Sequence, residues 1–525
     1  MINIKNKFKS CYKINKKEHK NKKFRHDYLF INRKKHNKNY IKKELEEAKD
    51  ILDDICGYRL DNEQRQIVVT DEEKTLVIAG AGSGKSLTII GKIKYLIERK
   101  NINQKDILCI SFTNEACNSL KNKLKKYYDY DINVLTFHKL GLNIIKDNNI
   151  QYNITNEYLE FIIKEILEQD EIKKYLKKYY SKEYISQLDK LIGTFIHLYK
   201  SSYKNLDYYK KILKKTINKK ELILLKIIYK IHSIYELELK SLGEIDFDDM
   251  LHNANEIVVK DGLKKKYKYI IIDEYQDTSY VKFNLIKNIL DKSNAHLLAV
   301  GDDFQSIYRF TGCNLDIFIN FKKYFSDAHV MKIQNTYRNS SELINITSKF
   351  ILKNKKQIKK NLHSNKHLNN PIKYIYYNNK KIIFKNLIID IYNKNKKEIM
   401  ILGRNNKDIY SVIDKDFILN GTDLTYIKNK DIKMKYYTVH KSKGLESDNV
   451  IIINMEDKLL GFPSQIEDDK ILRFVLNKKE YYPYEEERRL FYVALTRTKH
   501  EVYLLIPVNK KSIFADEIKK VVIPP

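Results

Sequence analysis

Short apolar runs alternate with amphipathic stretches between residues 75 and 145. The runs TLVIAG, ILCISF and NVLTFH have the length of strands, and the stretches between them carry apolar residues at helical spacing. This alternation predicts the order β-α-β-α-β, which is typical of a parallel sheet covered by helices. The pattern returns in YKYIIIDEYQDTS, AHLLAVGDD and AHVMKIQNTYR, so we expect these segments to belong to the same α/β unit.

Residues 148–240 have a different character, with almost no glycine and no proline. Stretches such as NEYLEFIIKEILEQ and KKELILLKIIYKIHSIYELELK favour helices throughout, which predicts a helical insertion within the α/β unit. Further alternation follows in PIKYIYY, EIMILGR, YYTVHKSKG, NVIIIN and EVYLLIP. These segments predict a second α/β unit.

Length and composition exclude several classes of protein. At 525 residues the chain is long enough for three or four domain-sized units. No apolar run approaches the roughly 18 residues of a membrane span, and the N-terminus has no apolar core of a secretory signal. The five cysteines form no C-x-x-C pair, which favours reduced thiols over a disulfide framework or zinc ribbon. We therefore expect a cytoplasmic protein without membrane contact.

The net charge of +32 favours a polyanionic partner, most simply nucleic acid. An AT-rich genome, which inflates lysine everywhere, is the alternative explanation. Residues 1–43 alone carry 16 Lys and Arg against Glu18 and Asp27, a net +14. Such a block is typical of a solvated or disordered tail, and a nucleic-acid-gripping arm is the second interpretation. Residues 44–56 then predict an acidic amphipathic helix.

The segment LVIAGAGSGKSLTII predicts a strand, a glycine-rich loop and a helix, which is the context of a phosphate-binding P-loop. Its backbone N–H groups and the helix N-terminus suit a phosphate, Lys85 would reach the β- and γ-phosphates, and Ser86 would coordinate Mg²⁺. Ala79 stands where the strict pattern has its first glycine. The predicted nucleotide-binding residues of this loop are Ala79, Gly80, Ala81, Gly82, Ser83, Gly84, Lys85 and Ser86.

Two adjacent carboxylates follow the apolar run of YKYIIIDEYQDTS. A P-loop needs an acid for the metal and a base for the attacking water. Asp273 would hold Mg²⁺, and Glu274 would orient and deprotonate the water. The sequence therefore predicts an NTP-hydrolysing site.

Eight segments occur in the same order as the motifs of a known family and resemble them. AGAGSGKS, SFTNEA, TFHKLG, IIIDEYQDTS, VGDDFQSIYRFTG, NTYRNS, VHKSKGLESDNVIII and EERRLFYVALTRTK resemble motifs I, Ia, Ib, II, III, IV, V and VI of the UvrD/Rep-type superfamily 1 DNA helicases. LDNEQRQIV resembles their Q motif, and the resemblance covers roughly 57–507. GDDFQSIYRF and DFDDML look most like the DNA helicase IV branch.

For the nucleotide site, the resemblance implies a role for each matching residue. Gln64 would read the adenine edge, and Tyr337 would stack on the adenine. Gln305 would contact the γ-phosphate. Arg338 and Arg497 would act as arginine fingers that stabilise charge in the transition state.

For the remaining contacts, the resemblance implies that Glu446 lies near the ribose and phosphates. Two departures from the family are Leu87, where many members carry arginine, and Phe310, where tryptophan is common and where phenylalanine can still stack. The positions that match the family's single-strand DNA track are Phe112, Thr113, Asn114, His138, Tyr308, Phe310 and His440.

The resemblance also implies an architecture: an α/β protein with two RecA-like P-loop motor domains. We expect a basic extension over 1–43, domain 1A over 44–147 and 241–332, a helical 1B insertion over 148–240, and domain 2A over 333–525. Only 102 residues separate Arg338 from His440. The 2B subdomain is therefore expected to be absent or vestigial.

The implied function is an ATP- and Mg²⁺-dependent DNA helicase or translocase, with 3′→5′ polarity implied by the resemblance. Its expected partners are single-stranded DNA and single-strand/duplex junctions, and it is expected to be a monomer or weak oligomer. Two alternatives remain open. One is a translocase or remodeller that unwinds little, and the other is an ATPase subunit of a phage-defence or repair complex.

Overall fold

The computed structural model describes residues 37–150, 152–155, 158–202, 206–476 and 482–522. Most of the predicted basic extension, residues 1–36, lies outside the described residues. A helix already spans residues 37–47, so the predicted boundary at 43 falls inside a helix. Within the described part of the chain, no helix is both long and apolar enough to cross a membrane.

The chain forms two compact units. Among the described residues, the first comprises 37–71 together with Leu87–Ile102. Its helix Asn62–Val69 is stabilised by a capping box, in which Gln64 N donates to Asp61 Oδ1 (2.8 Å) and Asp61 N donates to Gln64 Oε1 (3.0 Å). The buried Lys92 ammonium donates to Val68 O (3.0 Å), and burial lowers the pKa of Lys92 to about 8.

The second unit comprises Glu72–Ser86 and Asn103–Pro525 and contains the strands. Those described are β1 (Lys74–Ala79), β2 (Ile107–Ser111), β3 (Asn133–Thr136), β4 (Asn153–Ile154), β5 (Glu244–Ile245), β6 (Tyr269–Ile272), β7 (His296–Gly301), β8 (His329–Ile333), β9 (Ile372–Tyr377), β10 (Ile399–Gly403), β11 (Phe417–Asn420), β12 (Asp423–Tyr426), β13 (Met434–Thr438), β14 (Asn449–Ile452) and β15 (Val502–Pro507).

The described residues of this unit form three sheets, of which two are large. One has six parallel strands in the order β3-β2-β6-β7-β1-β8. The other has seven strands in the order β11-β12-β13-β10-β14-β15-β9; its β11–β12 and β12–β13 pairs are antiparallel, and its other pairs are parallel. β4 and β5 form a separate two-stranded pair. The predicted α/β class with parallel sheets is confirmed.

Helices alternate with many of these strands along the chain. Their bounds are Lys49–Asp53, Asn62–Val69, Lys85–Glu98, Asn114–Tyr128, Phe137–Asp147, Tyr158–Leu167, Asp170–Tyr179, Lys182–Ile185, Leu188–Ser201, Leu206–Lys215, Lys219–Leu242, Phe247–Asp261, Tyr280–Ser293, Leu315–Ile319, Phe321–Tyr324, Ser341–Ile351, Lys380–Asn395, Glu485–Leu495 and Ile513–Val522. The longest, Lys219–Leu242, begins at an Asn218 cap and ends at Gly243, whose φ is +67°.

The helical region between β4 and β5 has its own hydrophobic core. Residues from much later in the chain join that core, because Ile471, Leu472 and Val475 are buried within it. The seven-stranded sheet is buried on both faces. Successive residues of β10 alternate between two clusters, with Met400 and Leu402 on one side and Ile399 and Ile401 on the other.

Candidate nucleotide site and stacking surface

The glycine-rich loop connects β1 to the helix Lys85–Glu98. Gly82 and Gly84 have φ of +69° and +78°, which side chains other than glycine rarely adopt. A Cβ on Gly82 would lie 2.5 Å from Arg338 Cβ. The segment carrying Tyr337 and Arg338 is held against the loop, since Tyr337 N donates to Gly82 O (2.9 Å) and Thr336 Oγ1 donates to Ala81 O (2.8 Å).

The predicted acids Asp273 and Glu274 follow directly after β6, and Glu274 takes a left-handed φ of +52°. Lys85 Nζ lies 3.6 Å from Glu274 Oε1, and Lys443 Nζ lies 3.5 Å from Glu274 Oε2. Burial raises the pKa of Asp273, and the adjacent Glu274 charge adds to this. Burial also opposes the charge of Glu274, but Lys85 and Lys443 outweigh it and lower the pKa of Glu274. Glu274 is therefore ionised at neutral pH.

Arg497 is 1 % exposed and follows the helix Glu485–Leu495. Its guanidinium donates to Gln305 Oε1 (3.1 Å), Val493 O (3.0 Å) and Leu445 O (3.2 Å). Across the described ranges no carboxylate lies within 4.0 Å of it. Burial, together with the nearby charge of Arg338, lowers the pKa of Arg497 to about 9. A buried guanidinium without an ion-pair partner suits an anionic ligand such as a triphosphate.

Arg338 lies in the same region. Its Nε donates to Glu446 Oε2 (2.7 Å), and its Nη1 donates to Thr496 O (3.3 Å), next to Arg497. Lys499 Nζ lies 3.1 Å from Glu446 Oε1. Burial opposes ionisation of Glu446, but Arg338 and Lys499 outweigh it and lower its pKa. The structure therefore brings two predicted arginine fingers and the predicted ribose-site glutamate together.

Two predicted adenine contacts differ in their surroundings. Tyr337 is 51 % exposed. Gln64 is buried in the first compact unit, where its Oε1 takes part in the capping box. Each residue keeps its predicted role as a hypothesis.

Two oxygen-bearing side chains could hold a metal ion. Ser86 is the second residue of the helix after the loop, and Asp273 follows β6. Within the described part of the chain, no group of three or more His, Cys, Asp or Glu could hold a metal. Mg²⁺ is usually bound by one or two carboxylates together with substrate phosphates, so this donor set fits Mg²⁺ bound with a nucleotide.

Tyr308, Phe310 and His440 form one aromatic cluster. The ring centroids of Tyr308 and Phe310 are 6.1 Å apart, and those of Phe310 and His440 are 5.6 Å apart at 82°. Tyr308 OH donates to His440 O (3.1 Å). Burial lowers the pKa of His440 to about 4, so its ring is neutral at neutral pH. Phe310 is 53 % exposed and offers a flat apolar face.

The other predicted DNA contacts lie near the ends of β2 and β3. The ring of Phe112 is 5.3 Å from that of Phe137, and the ring of His138 is 5.6 Å from that of Phe247. Thr113 caps the helix Asn114–Tyr128 through its Oγ1, which accepts from Ala116 N (3.2 Å). Burial lowers the pKa of His138 to about 4.

Several residues of the site were absent from the sequence prediction. Lys443 Nζ donates to Gln305 O (2.9 Å), pairs with buried Asp277 and lies 5.0 Å from the Tyr308 ring centroid. Gln276 Nε2 donates to Glu274 Oε2 (2.5 Å). Lys443 lies in HKSKGLE and Gln276 lies in IIIDEYQDTS. These family-like segments were therefore the sequence signal that could have identified both residues.

Comparison with known families adds independent evidence. Residues 60–326 match the UvrD/REP helicase N-terminal domain, and residues 418–509 match the UvrD-like helicase C-terminal domain.

Individual relatives agree with this result. The chain is 27 % identical to DNA helicase IV of Escherichia coli K12 over 523 residues, which cover 94 % of this chain and 75 % of the relative. It is 30 % identical to the ATP-dependent DNA helicase Rep of Buchnera aphidicola subsp. Baizongia pistaciae, covering 73 % of this chain and 56 % of Rep. Identity to PcrA of Staphylococcus aureus Mu50 is 24 %, covering 76 % and 54 %.

The chain thus spans between about half and three quarters of the length of these relatives. The N-terminal family match alone covers just over half of the chain, and it includes the loop and the two acids described above. On these grounds, the chain belongs to the UvrD/REP helicase family.

Proposed function

We propose that this protein is an ATP-dependent DNA helicase that couples ATP hydrolysis to movement on single-stranded DNA. The observation that carries the proposal is the segment 301–310. In this segment, Gln305 Oε1 accepts from the buried guanidinium of Arg497, which has no carboxylate within 4.0 Å among the described residues. Five residues later, Phe310 exposes the face of its ring to solvent. A phosphate-binding end and a base-stacking end on one short segment are what a DNA-driven ATPase requires.

The proposed domains follow the sequence prediction: an extension over 1–43, 1A over 44–147 and 241–332, 1B over 148–240, and 2A over 333–525. The six- and seven-stranded sheets support two RecA-like motor domains. The helical core supports 1B. Strands β9 to β13 all belong to the seven-stranded sheet and take up much of the interval before His440, which supports the absence of a full 2B.

In the proposed nucleotide site, the loop N–H groups and Lys85 bind the β- and γ-phosphates. Ser86 and Asp273 would hold Mg²⁺, which when bound would neutralise developing phosphate charge. Tyr337 stacks on the adenine, with Gln64 reading its edge.

Glu274 accepts the proton of the attacking water, because Lys85 and Lys443 keep it ionised in the nucleotide-free protein. Arg338 and Arg497 stabilise the negative charge that develops on the phosphoryl oxygens. ATP would draw Arg497 toward the γ-phosphate and away from Gln305, because a charged phosphate is a stronger acceptor than an amide.

For DNA, the bases stack on the cluster of Tyr308, Phe310 and His440, and the strand continues past Phe112, Thr113, Asn114 and His138. Because His440 is neutral at neutral pH, it contributes an apolar ring rather than a charge. Movement in the 3′→5′ direction and action at single-strand/duplex junctions are part of the proposal.

The test has two stages. ATPase activity is first measured with and without single-stranded DNA, with Lys85→Ala as the inactive control. Strand displacement is then measured on duplexes with 3′ or 5′ tails. DNA-stimulated hydrolysis with displacement only from 3′ tails would support the proposal. Stimulated hydrolysis without displacement would indicate a translocase or remodeller, and hydrolysis that DNA does not stimulate would contradict the proposal.

A further inference from the structure

Lys360 is a buried lysine whose ammonium is enclosed by three consecutive residues of the segment 301–310. Its side chain is 1 % exposed. The Nζ atom lies 2.7 Å from Asp303 Oδ1, forms an ion pair with Asp302, and is 3.5 Å from the ring centroid of Phe304. Burial opposes its charge, but Asp302 and Asp303 outweigh it and raise the pKa of Lys360.

Asp302 links this lysine to the predicted γ-phosphate contact. Its Oδ1 accepts from Phe304 N (3.1 Å) and from Lys360 Nζ. Its Oδ2 accepts from Gln305 Nε2 (2.6 Å). Both oxygens of Asp302 therefore accept from donors, which is the bonding pattern of a carboxylate.

This bond determines which way the Gln305 amide points. With Nε2 bound to Asp302, the Oε1 atom faces Arg497 Nη2 at 3.1 Å. The reverse orientation would place the amide oxygen against a carboxylate and the amide N–H₂ against a guanidinium.

The segment that carries Lys360 is itself anchored to the nucleotide site. Ile358 N donates to Asp303 Oδ2 (2.8 Å). Leu362 packs over the P-loop, where a Cβ on Gly80 would lie 2.6 Å from Leu362 Cδ2. His363 N donates to Gln334 O (2.8 Å). The chain is therefore anchored both before Lys360, at Ile358, and after it, at Leu362 and His363.

A buried ion pair is a poor way to gain stability, since well-packed apolar side chains of similar volume are often as stable or more stable. Apolar side chains could not, however, form the directional hydrogen bonds that this ion pair makes. We propose that Lys360 is a positioning residue that holds the Asp302 carboxylate in place through Oδ1, so that Oδ2 orients the Gln305 amide with its oxygen toward Arg497.

This inference rests on the proposed function, because it assigns Lys360 to the ATP site. Lys360 acts only through Gln305, so its removal affects steps that involve the γ-phosphate. ADP, which lacks that phosphate, serves as the reference ligand.

The test compares Lys360→Met, which keeps the length of the stem without the charge, with Lys359→Met. Lys359 is the adjacent exposed lysine. We expect Lys360→Met to lower kcat about tenfold or more, while the KM for ATP and the ADP affinity stay within about threefold of wild type. Lys360→Arg, which keeps the charge, should restore most of the activity.

A double-mutant cycle tests whether Lys360 acts through Gln305. In a Gln305→Ala background, Lys360→Met should change kcat by less than about twofold. Additive losses, or a parallel loss of ADP affinity, would overturn the inference. Should Lys360→Met fail to fold, Lys360→Gln is measured in the same cycle against the same two results. A wild-type protein that hydrolyses no ATP would instead refute the proposed function, and Lys359→Met would show the same inactivity.

Discussion

Replacing Phe310 by alanine isolates the stacking contribution from the ATP site. The Phe310 ring is 53 % exposed and is flanked by His440 at 5.6 Å and Tyr308 at 6.1 Å. Stacking of a base on an aromatic side chain is worth roughly 1–3 kcal/mol. Since about 1.4 kcal/mol corresponds to a tenfold change in affinity, we expect single-strand DNA to bind roughly 5–150-fold more weakly.

The same substitution should have a small effect on stability. Full burial of a phenylalanine side chain stabilises a fold by roughly 1.5–3 kcal/mol, and about half of this ring is already in solvent. We therefore expect Phe310→Ala to lower the free energy of unfolding by about 1 kcal/mol. The folded protein remains available for binding measurements.

The assay is fluorescence anisotropy with a labelled oligothymidine, together with ATPase activity at zero and saturating DNA. The matched control is Phe161→Ala, because Phe161 is 66 % exposed and lies on the helix Tyr158–Leu167, which contributes no residue to the cluster of Tyr308, Phe310 and His440. We expect the DNA concentration needed for half-maximal stimulation of the ATPase to rise in Phe310→Ala and to stay unchanged in Phe161→Ala. Wild-type DNA affinity in Phe310→Ala, or an equal loss in the control, would refute the reasoning.

Three further outcomes are expected. Glu274→Gln should still bind ATP in a nucleotide-binding assay but lose turnover, because the amide cannot accept the proton of water; wild-type turnover would show that another group is the base. Gly82→Ala should lower kcat more than Gly421→Ala: both sites have positive φ, which costs roughly 1–2 kcal/mol for alanine, but only at Gly82 would the Cβ meet Arg338. Stability should fall as pH drops from about 6.5 to 4, because His440 stays neutral in the fold while the unfolded chain takes up a proton. His440→Gln should reduce this loss by on the order of 1–2 kcal/mol at pH 5 in urea unfolding, and an unchanged pH dependence would contradict the buried neutral ring.

The strands that precede the candidate nucleotide-site residues could be predicted because their signals are local. Four apolar residues before Asp273 and a glycine-rich loop before Lys85 are visible within a dozen residues. The structure has strands β1 and β6 at these positions. Periodicity likewise predicted the helical region, although the short β4–β5 pair at its ends was not predicted.

The ion pairs between distant segments could not be predicted in the same way. Lys360 lies 58 residues from its partner Asp302, and Lys443 lies 166 residues from Asp277. A chain with 99 Lys and Arg offers too many possible partners for charge alone to select these. The packing of Leu472 into the helical core could not be predicted either, because its sequence neighbours belong to the second α/β unit.

Side-chain contacts connect the Gln305 end of the segment 301–310 to its aromatic end. Lys443 joins Gln305 O at 2.9 Å to the Tyr308 ring at 5.0 Å. Arg309, between the two stacking aromatics, binds Glu486 through its own N–H and Nε, both at 3.1 Å. Glu486 belongs to the helix that leads to Arg497, and Arg497 returns to Gln305.

These contacts form a closed loop that connects Arg497 to the cluster of Tyr308, Phe310 and His440 by two routes. One route runs along the backbone from Gln305, and the other runs through the helix Glu485–Leu495 to Arg309. Arg309 also pairs with Asp468, which lies three residues before Ile471 in the helical core. The position of the helical region is therefore tied to the same segment.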